Sequence, residues 1–171
     1  MKRIVLAVAG ALAAQIPIPN KETPPPPGMA AGLKAAPEAR FEQGSSKPPA
    51  AGPAGEPLRT GEHRIVPAAW MKKGTWTTLK DGRRVWRLAI RSPGAKSMRV
   101  HFQAFKAANG MVWVHIGRKA VGPYAGNGVH GDGEFWSEIV EGDRVTIEYL
   151  PESSGAKLAP FTIREVAHLW R

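Results

Sequence analysis

Thr75-Trp76-Thr77-Thr78-Leu79, then Lys80-Asp81-Gly82-Arg83, then Val85-Trp86-Arg87-Leu88-Ala89-Ile90: these residues decide the fold. Both outer runs are rich in β-branched and aromatic side chains, which fit a pleated surface better than a helix. Between them stands Asp81-Gly82, a pair that tolerates the positive φ of a tight hairpin, so the two runs are predicted to pair antiparallel. In the second run Trp86, Leu88 and Ile90 share one face, with Arg87, Ala89 and Arg91 on the other.

The same two-residue period continues downstream. Ser92-Pro93-Gly94-Ala95 turns the chain, and Met98, Val100 and Phe102 then alternate with Arg99, His101 and Gln103 to give one apolar and one wet face. Asn109-Gly110 predicts a further turn ahead of Met111-Val112-Trp113-Val114-His115-Ile116, a run apolar on both faces except at His115, as in a central strand. Glu134 to Val140 and Arg144 to Leu150 flank Glu141-Gly142-Asp143, a hairpin signal. In the second arm Val145, Ile147 and Tyr149 point one way, and Thr146 and Glu148 the other. Phe161 to Val166 is the last alternating run. No segment sustains a capped 3.6-residue period, and no internal repeat is present. Such short strands at this spacing predict an all-β fold, a two-sheet antiparallel β-sandwich of jelly-roll or immunoglobulin-like type over residues 62–171.

Upstream the composition changes. Of the 16 prolines most precede residue 61, whereas all six tryptophans follow it. Residues 14–61, with the run Pro24 to Pro27, hold too little apolar area to offset the entropy of ordering and are expected to form an extended, disordered spacer. A ligand for a proline-binding groove is the alternative reading of this tract. At the start, Lys2 and Arg3 precede the apolar Ile4 to Leu12, and Ala11-Leu12-Ala13 offers a small-x-small cleavage pattern. Residues 1–13 are read as a signal peptide, and the chain as exported: secreted, periplasmic or at the cell surface. The apolar run falls well short of the ~20 residues that span a bilayer, so no transmembrane anchor is expected.

With no cysteine, a disulfide framework, a thiolate zinc site and a cysteine nucleophile are all excluded. Ser92, Ser97, Ser137, Ser153 and Ser154 lie in no Gly-x-Ser-x-Gly elbow, so no catalytic residue is expected. The five histidines are scattered without ligand spacing. Asn127, Asp132 and Glu134 alternate with glycines in a loop that could offer oxygen ligands to calcium, although it fits no EF-hand pattern; the other reading is an exposed polar loop. The net charge of +10, from 24 Lys+Arg against 14 Asp+Glu, attracts anionic polymers through a screened field. Together with the tryptophans it suggests contact with a glycan or anionic surface polymer, the candidate contacts being Trp76, Trp136 and Tyr124. Trp86 and Trp113 sit in apolar runs and read as core. Nucleic acid is not the expected partner of an exported chain.

Several of these pieces, in order, are similar to the non-catalytic β-rich region that precedes the protease domain in bacterial lysyl-endopeptidase-like, trypsin-like secreted serine proteases. They are Val85-Trp86-Arg87-Leu88, Ser92-Pro93-Gly94-Ala95 with the run through Phe102, Gly122-Pro123-Tyr124, Gly133-Glu134-Phe135-Trp136, and Glu141-Gly142-Asp143-Arg144-Val145-Thr146-Ile147-Glu148. The resemblance covers most of Trp76 to Arg171. It implies an accessory or pro-region that assists folding, controls a zymogen or engages a target, with a trypsin-like protease domain as partner in cis or in trans. In that family the catalytic His, Asp and Ser belong to the following domain. This sequence has no Gly-Asp-Ser-Gly-Gly motif, so no catalytic residue carries over. The chain is then either a piece of a longer precursor or a module encoded alone. The alternative function is a stand-alone secreted module for carbohydrate or another surface polymer.

Overall fold

A computed structural model describes residues 24–43, 50 and 57–170. The proposed signal peptide, residues 1–13, lies outside them. The described chain forms two packed, mainly antiparallel sheets, as the alternation predicts. In the first, β4 (Arg84–Arg91) pairs with β10 (Arg144–Leu150), β10 with β6 (Ala108–Ile116), and β6 with β7 (Lys119–Gly126). The free edge of β4 is shared by β3 (Thr75–Thr78), antiparallel along Arg84 to Arg87, and by β1 (Glu38–Arg40), parallel along Ala89 to Arg91. In the second sheet β2 (Gly61–Ile65) pairs with β11 (Thr162–Leu169), and β11 with β5 (Ser97–Gln103). The far edge of β5 is shared by β8 (Phe135–Trp136) and β9 (Val140–Glu141).

The inward residues are those the period selects. Leu88 and Ile90 of β4, Val145 and Ile147 of β10, and Met98, Val100 and Phe102 of β5 are sealed between the sheets. Phe105, Phe135, Tyr124 and Phe161 gather around Phe102 with ring centroids 5.2 to 6.1 Å from it, in mostly tilted and edge-on pairs that suit aromatic quadrupoles.

Four expectations are corrected. Asn109-Gly110 does not turn the chain but lies inside β6, where Ala108 adopts φ 49° and the register shifts between Ala108 and Val112, a bulge that spends the turn residues without reversing direction. Glu141-Gly142-Asp143 does not close a hairpin. It carries the chain from β9 in the second sheet to β10 in the first, Gly142 at φ 129° making the crossing. The Glu134 to Val140 run is split at Ser137, whose main-chain N–H donates to Val100 O at 2.8 Å while its Oγ accepts from Val100 N at 3.0 Å.

The fourth concerns the spacer expected over residues 14–61. Residues 14–23, 44–49 and 51–56 of it lie outside the described residues, but residues 24–43 fold back along the outer face of the first sheet, through α1 (Pro27–Ala30) and β1. Phe41 packs 4.6 Å from Trp70 with the Arg64 guanidinium 4.5 Å over its ring. This cover explains why Trp113 and Glu148, which point away from the main core, are 1% and 0% exposed rather than wet. Leu79, Val85 and Leu150 complete a second, smaller core there, with Leu33 packed against it.

Candidate functional site

Past β2 the chain makes a 3₁₀ turn (Ala68–Lys73) that stands off the sandwich and leaves a groove of roughly 760 Å³ between itself, β3 and β11. Trp76, Trp86, Phe161 and Met71 supply its apolar surface. Lys72, Lys157 and Arg164 stand around it, and no acidic residue lines it. Two exposed apolar side chains border it, Ile65 at 64% and Leu158 at 82%. The groove exists because Gly74 lets the backbone pass against the Trp86 indole, where an added Cβ would fall 2.1 Å from a ring carbon. Trp76 is pinned at its edge: Nε1 donates to Lys157 O at 3.1 Å, and the Arg84 guanidinium sits 4.8 Å over the ring. Arg84 also donates to Ser154 O and Ala156 O, so the 150s loop that carries Leu158 is tied to the same corner. Chemically the groove can hold an apolar side chain on a segment with acidic flanks. Its lining offers neither a histidine nor a carboxylate for proton transfer.

Trp136, the second expected contact, lies on the outer face of the second sheet with its ring already occupied. His101 stacks on it at 4.6 Å and 9°, and His63 approaches at 4.9 Å. The His101 imidazole runs between two carboxylates, with Nδ1 3.2 Å from Glu165 and Nε2 3.1 Å from Glu134. Arg99 lies 5.7 Å from the Trp136 ring. Tyr124 departs from the expectation of a contact: it is buried at 6%, part of the aromatic core, and its hydroxyl bonds the Glu138 carboxylate. Burial, then that hydrogen bond, pushes its phenol well above the usual tyrosine range.

The glycine-rich loop that suggested calcium is organised by its own backbone. Gly126, Gly128, Gly131 and Gly133 all take φ between 58° and 84°, and Gly133 N donates to Asn127 O at 2.8 Å. Asp132 accepts from Glu134 N at 3.0 Å, while Glu134 turns to His101 and to Gln103 at 3.1 Å. Glu134 is thus turned toward the second sheet, and among the described residues no three His, Cys, Asp or Glu side chains are placed to hold a metal.

One buried pair escaped the sequence reading. Ser92 Oγ lies 2.8 Å from His168 Nδ1, and Arg64 donates to the same hydroxyl at 3.0 Å. Both Ser92 and His168 are 0% exposed, so this pair ties β11 to the turn after β4 and is closed to a substrate. The groove residues Met71, Lys157, Leu158 and Arg164 were missed as well. The one local signal was Leu158, a lone large apolar residue beside Lys157 among the turn residues of the 150s loop.

No described helix is long and apolar enough to cross a membrane. Compared with known families, residues 32–170 match the model of the lysyl endopeptidase N-terminal domain. No curated protein and no solved structure gives a significant match.

Proposed function

The chain belongs to the lysyl endopeptidase N-terminal domain family, and from that premise we propose that it is the exported, non-catalytic accessory region of a trypsin-like serine protease, engaging the protease domain through the Trp76 groove. The family match carries this reading, because it spans both sheets and so takes in the whole sandwich rather than one motif. Export is supported by the charged and apolar character of residues 1–13. The groove supports the mode of contact: an apolar floor gives affinity, while a rim with Lys72, Lys157 and Arg164 selects a partner segment with acidic flanks. A role in folding or zymogen control follows if that segment belongs to the protease domain.

Glycan binding is less favoured by the same geometry. A sugar stacks on a free, flat ring face, whereas Trp136 is covered by His101 and Trp76 carries Arg84 on one face. The test uses the full chain with a lysyl endopeptidase catalytic domain, measuring complex formation and the yield of active enzyme after refolding. The wild-type chain is expected to bind and to change that yield, and Leu158→Asp, at a site 82% exposed, to lose binding by about tenfold or more without loss of fold. Absence of binding and of any effect on yield sinks the proposal.

A further inference from the structure

The outer face of the first sheet holds the N-terminal segment by its backbone as that segment passes from the proline run through the single turn α1 and on to β1. Gly28 N donates to the Glu148 carboxylate, Trp113 Nε1 to Pro24 O at 3.0 Å, Arg87 to Lys34 O at 2.8 Å, and Arg144 to Ala36 O at 3.2 Å. Three of these four bonds run from sheet side chains to carbonyls, the groups that any segment presents, proline included. An indole that donates to a proline carbonyl and packs beside the ring is how proline helices are read. Selectivity enters at one position. A Cβ on residue 28 would fall 2.7 Å from a Glu148 oxygen, so any residue larger than glycine there has to push the buried Glu148 carboxylate aside.

The fit leaves buried polar atoms over. Among the described residues, Glu148 Oε2, Arg87 Nε and both ring nitrogens of His115 lack a hydrogen-bond partner, and His115 Nε2 stands 3.5 Å from Glu148 Oε2. A polar cluster serving only to seal a core would be an inferior choice to apolar side chains there. What the cluster offers instead is donors aimed at main-chain carbonyls, as Arg87 and Trp113 show.

We propose that this face is a binding site for segments in which a proline run passes into a single tight turn at glycine, which residues 24–40 fill in cis and which a segment of the same chemistry can fill in trans. The site lies away from the Trp76 groove and does not depend on the proposed protease partner.

A labelled peptide of residues 24–40 tests it against two full-length chains, the wild type and Gly28→Val. In the wild type the tethered segment competes at an effective concentration of about millimolar or above, so the peptide binds weakly. In Gly28→Val the cis segment is displaced from Glu148, and the peptide is expected to bind saturably and about 100-fold more tightly than to the wild type. A peptide that itself carries Gly28→Val should not bind. A Gly28→Val chain that melts cooperatively yet takes up no peptide overturns the proposal. Should Gly28→Val fail to fold, a wild-type chain with a protease site inserted within residues 44–49 replaces it. After cleavage, exchange of the bound segment for labelled peptide supports the proposal, whereas retention without exchange, or unfolding of the cleaved chain, makes residues 24–40 a fixed part of the fold and overturns it.

Discussion

Replacing Gly74 with alanine separates two opposed effects of one methyl group. Gly74 has φ −62° and ψ 142°, ordinary extended backbone for any residue. On backbone grounds alone the change should stabilise the protein by about 0.4–1 kcal/mol, through a less flexible unfolded chain. The space says otherwise. The new Cβ would lie 2.1, 2.2 and 2.5 Å from Trp86 Cζ2, Cε2 and Nε1. Comfortable contact begins at about 3.5 Å, so the turn or the indole must yield by more than about 1 Å. Trp86 cannot swing away freely: it is 4% exposed, and Phe161 meets it edge-on at 5.7 Å. Overpacking of this kind costs about 1–3 kcal/mol, and a clash this deep belongs at or above the upper end. We expect a net loss of about 2–3 kcal/mol, which for a domain of roughly this size lowers Tm by about 8–12 °C. Thermal unfolding followed by circular dichroism reads it. Gly155→Ala is the control, since nothing lies within 4 Å of its added Cβ and its stability should stay within about 0.5 kcal/mol. A Gly74→Ala chain that melts at or above the wild-type temperature would refute both the packing of Trp86 and the origin of the groove.

Tyr124 gives a pH dependence of fixed sign. Its folded phenol is raised, so above the ordinary tyrosine value of about 10 the unfolded chain gives up a proton that the folded chain keeps, and stability falls as pH rises. Urea midpoints taken across that range should decline less steeply in Tyr124→Phe, the residual slope including Tyr149, which burial also raises. Ser137→Ala should leave the Val100 N–H buried without its acceptor at a cost of about 1–3 kcal/mol, with faster hydrogen exchange at that amide as the local readout. Calcium in excess should leave Tm unchanged, because Glu134 is engaged by His101 and Gln103; a rise that EDTA reverses would mean the loop reorganises around the ion.

Strands with one continuous apolar face were the easiest to read. In β4, β5 and β10 the apolar period selects the inner face without reference to neighbours, and the structure places Leu88, Val100 and Ile147 accordingly. What failed to show was structure decided by distant chain. The sequence of β7, Lys119 to Gly126, holds a proline and two glycines and reads as loop, yet an edge strand tolerates all three. Glu148 alternates as a solvent residue should, and nothing local tells that Pro24 to Ala36, more than a hundred positions earlier, lies over it. The Trp76 groove shares this origin. Trp76 was singled out as a ring that could touch a ligand, but its apolar neighbours arrive from the 3₁₀ turn and from β11, and their meeting is a property of sheet order.

Surfaces left uncovered by the fold narrow where a partner can dock. The outer face of the first sheet is covered by residues 24–40. The outer face of the second is polar around Trp136, with His63, His101, Glu134, Glu165 and Arg99 beside the ring. Strand edges of the first sheet are blunted differently, β7 by Pro123 and β4 by the two short strands that share it. The most exposed large apolar side chains, Leu158 and Ile65, stand together at the corner between β3 and β11, bordered by fixed positive charge. Burying either side chain in a partner is favourable by about 1.5–3 kcal/mol, whereas leaving it in water gains the isolated chain nothing. That asymmetry, more than the charge of the whole chain, is why the docking experiment should be read first at Leu158.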